Sequence, residues 1–258
     1  FREAVAAENI DPQGMDIYHV PQNGIGLPKI KRCPTVVTVH DLIPYILPET
    51  VGPAYLKIFK QEMPRILSEA DHVITVSQHS RNDLIKIMKL PPEKISVIYE
   101  APESTYRQVN KEISKQRLQN KYGITDPYLL YLGGFSPRKN LNGLVKAYAQ
   151  LKKELAKPPK LVIIGRHSPS FPPLAALVEK LGLEKDVLFP GFAPVQDLPF
   201  LYNAAELFIY PSFYEGFGLP PIEALACGTP TIVSNISSLP EVVGDAALKV
   251  DPHSQQAM

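Results

Sequence analysis

The stretch Leu207-Phe208-Ile209-Tyr210-Pro211-Ser212-Phe213-Tyr214-Glu215-Gly216-Phe217-Gly218-Leu219-Pro220-Pro221-Ile222-Glu223-Ala224-Leu225-Ala226-Cys227-Gly228 decides how the rest of the chain is read. Leu207–Tyr210 is a short, unbroken apolar run, as a strand buried on both faces is. Gly216 and Gly218 follow, and without a Cβ their backbone can approach a ligand closely. Pro220 and Pro221 then favour a helix start, because a first-turn N–H has no helical partner to lose. This order puts free N–H groups and the positive end of a helix dipole at a strand's carboxyl end, a natural place for phosphate. Glu223 lies in the first turns of that helix, where a carboxylate can accept two hydrogen bonds from a vicinal diol such as a ribose. Glu215 sits on the loop before it. Taken alone, Glu223 is equally readable as a dipole partner and Glu215 as a solvated loop acid.

Working outward, the same alternation recurs. Strands are predicted at Tyr128–Leu132, Lys160–Ile164, Val187–Phe189 and Thr231–Ser234, with a further candidate at Ala247–Val250. Helices fit at 141–155, 172–181, 196–203, 220–227 and 240–243. Towards the start, Asp16–Val20, Thr35–Val39, Val73–Val76 and Ile95–Ile98 read as strands, with helices at 53–70 and 80–89. Ser80 is the expected N-cap of the second of these. Ala101–Asn110 has no periodicity and reads as a linker, before a polar helix at Lys111–Tyr122 that ends at Gly123. The alternation predicts an α/β chain of two doubly wound units with parallel sheets, divided as residues 1–110 and 111–258. Ligands of such sheets bind at the carboxyl ends of the strands, so the loops there carry the chemistry.

Composition bounds the alternatives. The chain has 258 residues, 45% of them hydrophobic, which is enough to build a core and excludes global disorder. Lys plus Arg number 27 against 26 Asp plus Glu, a balance without the basic surplus that nucleic-acid binding needs. The two cysteines, Cys33 and Cys227, form no C-x-x-C pair, and a reducing, cytoplasmic setting is expected. No apolar run approaches the ~20 residues that span a bilayer. Proline is abundant at 27 residues, and many of them stand after strands or at helix starts rather than in a disordered tract. The chain opens Phe1-Arg2-Glu3, without an initiator Met.

A second loop, Gly133-Gly134-Phe135-Ser136-Pro137-Arg138-Lys139-Asn140, follows the strand at Tyr128–Leu132. Two glycines, two adjacent cations and a helix start make an anion site, Arg as a bidentate binder and Lys as a point charge. It is neither a Walker loop nor a dinucleotide fingerprint, and taken alone a solvated loop charge pair is the favoured reading. No D-x-D occurs, and no His, Cys and Asp set is spaced for a metal.

Together these residues resemble the retaining glycosyltransferases of family 4, which have the GT-B fold. The run Glu215 to Glu223 matches that family's E-x7-E motif within E-G-F-G-L-P-x-x-E-A-L-A-C-G-T-P. The resemblance covers most of the second half and, more loosely, Asp16 to Pro102. It implies two Rossmann-like domains with parallel sheets facing a cleft, residues 1–110 on the acceptor side and residues 111–258 holding a nucleotide-sugar. By resemblance, Glu223 holds the donor ribose, while Glu215 and Gly216, Phe217, Gly218 and Leu219 face sugar and diphosphate. Arg138 and Lys139, with Gly133 and Gly134, take the diphosphate, and Gly191 and Phe192 take the base. His40, after the strand Thr35–Val39, reaches the donor sugar. Many members carry an Arg where this chain has Gly134, which puts in doubt whether both Arg138 and Lys139 touch the diphosphate. Ser77-x-x-Ser80 also matches a family pattern, with helix capping as its simplest role. His19 is a weaker acceptor-side candidate, and His72, His79, His167 and His253 are read as structural.

The resemblance implies transfer of a sugar, with mannose from GDP-mannose favoured and a UDP-sugar second, to a glycan or lipid-linked acceptor. It implies no metal, no protein nucleophile, no nucleic-acid partner, and a cytoplasmic protein associated peripherally with the inner membrane face. A two-carboxylate glycosidase scheme on Glu215 and Glu223 is set aside, because a helix N-terminus favours an ionised Glu223. Two rivals stay open: a nucleotide-binding fragment without activity, and a GT-B nucleotide-sugar epimerase. The first is raised by the family's opening strand and Gly-rich loop, and its closing helices, which the chain does not show.

Overall fold

The computed structural model describes residues 14–25, 27, 33–166 and 169–258, within which the chain divides into two compact units. Unit 1 takes the described residues up to Glu100 together with Glu215–Phe217, and unit 2 takes Ala101–Tyr214 with Gly218–Met258.

In unit 1 the strands β1 (Tyr18–Val20), β2 (Thr35–Val39), β3 (His72–Thr75) and β4 (Ile95–Val97) lie side by side in that order, all parallel. The helices are α1 (Ile43–Ile46), α2 (Pro53–Glu69) and α3 (Gln78–Met88). α2 buries Phe59, Met63, Ile66 and Leu67, a spacing that makes one stripe along the helix. That stripe joins Val37, Val39 and Val73 of the sheet in a single core, so the mixed apolar and basic sequence of α2 faces inward with its apolar side. Each of these buried side chains contributes ~1.5–3 kcal/mol by leaving water.

α3 starts one residue after Ser77, not at Ser80 as expected. Ser77 is extended and its Oγ accepts the Ser80 N–H at 3.0 Å, which is what an N-cap does, whereas Ser80 is already inside the helix.

Among the described residues unit 2 has six strands: β5 (Tyr128–Leu132), β6 (Lys160–Ile164), β7 (Val187–Gly191), β8 (Leu207–Tyr210), β9 (Thr231–Ser234) and β10 (Leu248–Val250). Its helices are α4 (Lys111–Tyr122), α5 (Leu141–Glu154), α6 (Phe171–Lys180), α7 (Leu198–Ala204), α8 (Leu219–Ala226) and α9 (Leu239–Val243). The spatial strand order is β10-β9-β8-β5-β6-β7, every pair parallel. The chain therefore winds one way through β5, β6 and β7, and the other way through β8, β9 and β10. The reversal falls between β5 and β8, and this is the doubly wound dinucleotide-binding order. Leu130, Tyr131, Val162, Ile163 and Phe208 are wholly buried in these strands, which explains their unbroken apolar sequence.

Ala101–Asn110 is no free linker. Val109 N–H donates to Asn203 Oδ1 and the Asn203 amide donates to the Arg107 carbonyl, which ties the segment to α7. α4 then starts from an Asn110 cap and stops at Gly123, as its sequence predicts. It buries only Ser114 and Leu118, so charge anchors it instead. Arg117 (2.8 Å), Lys121 and the Tyr122 hydroxyl (2.7 Å) converge on the fully buried carboxylate of Asp197, at the start of α7. Burial alone would push the Asp197 pKa up, but Lys121, Tyr122 and Arg117 outweigh it and bring it down to about 2.

The folded pKa lies below the ordinary carboxylate value, so this stabilisation is complete above about pH 4 and is lost as pH falls towards 2. Asp197→Asn is expected to remove about 2 kcal/mol at neutral pH and to flatten the acid limb of stability. Urea denaturation at a series of pH values measures both; parallel pH curves for variant and parent would contradict the assignment.

Candidate functional site

The loops after β5 and β8 meet at the point where the winding reverses. They are the two loops that the sequence reading singled out. Phe213 N–H donates to the Arg138 carbonyl at 2.7 Å, and Arg138 Nη1 donates to the Tyr214 carbonyl at 2.9 Å. Arg138 thus bridges the two loops while remaining half-exposed. Lys139 is buried, and its ammonium donates to the Tyr210 hydroxyl at the end of β8. The two adjacent cations therefore have different surroundings, one at the surface of the loop and one beneath it. Gly133 and Gly134 lie at the end of β5, with Gly133 N–H bonded to the Ile164 carbonyl of β6. A cavity of about 160 Å³ is lined by Ser136 and Asn140 of the first loop and Phe213 of the second.

Gly218 and Leu219 open α8. Gly218 has φ 110°, and a Cβ there would stand 2.7 Å from the Leu239 side chain, so only glycine suits this turn. Pro220 and Pro221 fall inside the first turn rather than before it. Glu223 is the fifth residue of α8, beyond the reach of the free N–H groups. Its carboxylate accepts from the Tyr202 hydroxyl at 2.8 Å and also interacts with Tyr106. Burial is the largest influence and raises its pKa, the two tyrosines lower it, and Glu103 raises it. The expectation that the helix N-terminus sets the charge state of Glu223 is thereby corrected: burial dominates, and the net shift is upward.

Gly191 ends β7, two strands away from β5, and Phe192 follows it. Phe192 is exposed, and the Arg166 guanidinium lies 5.5 Å from its ring centre. The Gly191 carbonyl accepts from Gly165 N–H at 3.0 Å.

Within unit 1, His40 stands at the end of β2 with Glu215, Gly216 and Phe217 in the same unit. Gly216 is packed so closely that a Cβ would meet the His40 carbonyl oxygen at 2.4 Å. Its own carbonyl accepts from the hydroxyls of Ser77 (2.6 Å) and Ser80 (3.1 Å), and the Ser80 hydroxyl also donates to the His40 carbonyl (3.0 Å). Ser77 and Ser80 thus do more than cap α3: they hold the backbone of the glycine loop. Glu215 is buried. The His40 N–H donates to Asn23 Oδ1 at 2.8 Å, its Nε2 lies 2.9 Å from the Pro21 carbonyl, and its Nδ1 lies 3.5 Å from Glu100. Glu100 is the main reason that the His40 pKa is raised; burial opposes it, and Pro21 and Asp41 add to it.

Sequence reasoning missed Asn23, Glu100, Tyr106, Arg166 and Tyr202, and undervalued Ser77. Arg166 had a signal, since Gly165-Arg166 directly after β6 repeats the glycine-then-cation pattern of the Gly133 loop. His19 and His72 bond to Thr38 and Ser96 of neighbouring strands, both at 2.8 Å, and His79 pairs with Asp83. His253, read as structural, stacks on Phe213 of the β8 loop with ring centres 4.8 Å apart. His167 lies outside the described residues. Among the described residues no group of three or more His, Cys, Asp or Glu side chains is placed to hold a metal ion. No described helix is long and apolar enough to cross a membrane.

Two units built on parallel sheets, the second of them doubly wound with glycine loops at its switch point, correspond to the GT-B class. The chain superimposes on sucrose-phosphate synthase from Thermosynechococcus elongatus with a TM-score of 0.78, at 25% identity, over 99% of this chain and 64% of the other. It superimposes on Anabaena Alr3699/HepE in complex with UDP-glucose with a TM-score of 0.77, at 22% identity, over 99% of this chain and 68% of that one. The family profile "Glycosyl transferases group 1" matches residues 113–258 and "Glycosyltransferase Family 4" matches residues 3–101. The chain belongs to the group 1 glycosyltransferases. It is 37% identical to O-antigen chain mannosyltransferase B of Escherichia coli over 94% of its length, and 33% identical to O-antigen chain mannosyltransferase RfbU of Salmonella typhimurium over 86%. It spans 63% and 58% of the lengths of those two relatives.

Ser77→Ala removes a buried hydroxyl that accepts one N–H and donates to one carbonyl. A loss of about 1–3 kcal/mol is expected, measured by denaturant unfolding. A change within ~0.5 kcal/mol, the range of ordinary surface substitutions, would refute the latch.

Proposed function

We propose that this chain carries the machinery of a retaining glycosyltransferase that moves mannose from GDP-mannose to a glycan or lipid-linked acceptor. The observation that carries this reading is the meeting of the loop after β8, through Phe213 and Tyr214 just before the E-x7-E run, with the Gly133–Asn140 loop at the switch point of the unit 2 sheet. Mannose is supported by the O-antigen mannosyltransferases among the relatives. A UDP-sugar is the second reading, favoured by the likeness to Alr3699/HepE in complex with UDP-glucose.

In this reading the diphosphate leaving group is stabilised by charges already in position. Arg138 is held by the Tyr214 carbonyl and Lys139 by Tyr210, so neither must reorganise as negative charge develops. No metal is required in this scheme. Glu223 accepts the ribose hydroxyls, and Phe192 with Gly191 borders the base. The buried Glu215 and the backbone of Gly216–Leu219 face the sugar. His40 stands on the sugar side, and no protein nucleophile is assigned. The acceptor is reached from the cytoplasmic side of a membrane, which the protein touches peripherally.

Protection against thermal unfolding by a panel of nucleotide-sugars tests the donor, with GDP-mannose expected to protect most. Glu223→Ala is expected to weaken donor binding about tenfold or more, at the cost of a charge-assisted hydrogen bond. Unchanged affinity would remove Glu223 from the ribose. His40→Ala is expected to lower kcat while donor affinity is kept; parental turnover would remove His40 from the reaction.

A further inference from the structure

The surroundings of His40 are unusual in one respect. Each ring nitrogen faces an acceptor and not a donor. Nε2 lies 2.9 Å from the carbonyl oxygen of Pro21, which can only accept. Nδ1 lies 3.5 Å from the carboxylate of Glu100. A neutral imidazole has one N–H and one lone pair, so it can satisfy one of these neighbours but turns a lone pair towards the other. Only the imidazolium donates to both.

The backbone around the ring is fixed as well. The His40 N–H is held by Asn23, which has a left-handed backbone with φ 51°, and the His40 carbonyl is held by Ser80. The ring therefore has little freedom to turn away from Glu100 without breaking the Pro21 contact. The titratable groups around it come from several elements. Glu100 follows β4, Asp41 follows His40 itself, and Tyr55 of α2 meets the Asn23 amide at 3.4 Å. The buried Glu215 is one residue from Gly216, whose α-carbon packs on the His40 carbonyl. Glu100 and Asp41 both favour its charged form.

We propose that Glu100 is a positioning residue for His40: its carboxylate and the Pro21 carbonyl hold the ring in one orientation with both nitrogens donating. The proposal rests on the reading of His40 as a donor-sugar residue. It adds that His40 works as an oriented cation, and that Glu100, which touches no substrate, sets the pH at which that cation persists. As pH rises through the His40 pKa, one N–H is lost, one of the two contacts fails, and the orientation relaxes.

The test uses the whole chain and reads the His40 imidazole by proton–nitrogen NMR across pH, with the signal assigned by its loss in His40→Ala. In the parent, the ring is expected to keep both protons to higher pH than in Glu100→Gln. Glu100→Asp, which restores the carboxylate, is expected to restore part of the difference and guards against a folding defect in the Gln variant. With nucleotide-sugar and acceptor, Glu100→Gln is expected to lower kcat about tenfold with donor KM kept, because a misoriented group costs turnover more than binding. The basic limb of its pH profile is expected to move to lower pH. Identical His40 titration in parent and Glu100→Gln overturns the proposal. So does an altered titration with an unaltered pH–rate profile. If the parent transfers no sugar from any donor, the reading of the protein as a transferase falls, while the NMR comparison still decides the Glu100–His40 pair.

Discussion

Between β5 and β8 the winding of the unit 2 sheet reverses, and the site depends on that reversal. Each crossover helix in a parallel sheet covers one face, and successive crossovers move in one direction. Where the direction changes, the two connections leave to opposite sides and the space above the strand ends stays open. The loops that leave β5 and β8 border that space. One brings Arg138 and Lys139, the other the E-x7-E segment, and the Phe213–Arg138 and Arg138–Tyr214 hydrogen bonds tie them together.

Backbone groups do much of the holding, and this explains the glycines. Gly218 supplies a turn that a side chain would obstruct, and Gly216 lets its loop lie against the His40 carbonyl. Hydroxyls then take up the carbonyls that such close packing exposes. Ser77 and Ser80 both donate to Gly216, and Ser77 in the same position caps α3. A hydroxyl can do this because it carries one donor and two acceptor sites in a small volume. The charged groups follow a related rule. Asp197, buried, is surrounded by Arg117, Lys121 and Tyr122, and Lys139, buried, is bonded to Tyr210. Buried charge without such partners would be costly.

Much of this was legible in the residues. The polar helix Lys111–Tyr122 was found to the residue, because Asn110 and Gly123 punctuate it with well-understood cap chemistry. The two functional loops were found because glycine, proline and paired charges after an apolar run are a local signal. The N-cap of α3 was misplaced by three residues, since Ser77 and Ser80 offer the same chemistry and only the backbone angles separate them. The charge state of Glu223 was argued from the helix dipole, yet the carboxylate sits a turn too deep for that and is governed by burial beside Tyr202 and Tyr106. Neither tyrosine is near Glu223 in sequence, so no local pattern could show them.

The sequence by itself determined the parallel α/β class, the strand-end loops and the residue types offered there. These follow from periodicity and from turn and cap preferences, which act over a few residues. The tertiary structure decided the partners. The strand order that sets β5 beside β8, the convergence of α4 on Asp197, and the placing of Glu100 and Pro21 on opposite nitrogens of His40 all join residues remote along the chain. Such pairings depend on how sheets stack and where helices cross, and the charge that a titratable group carries depends on them in turn. The proline-rich strand ends and the E-x7-E loop were readable as letters, whereas the electrostatic setting of His40, Glu223 and Lys139 exists only once the chain is folded.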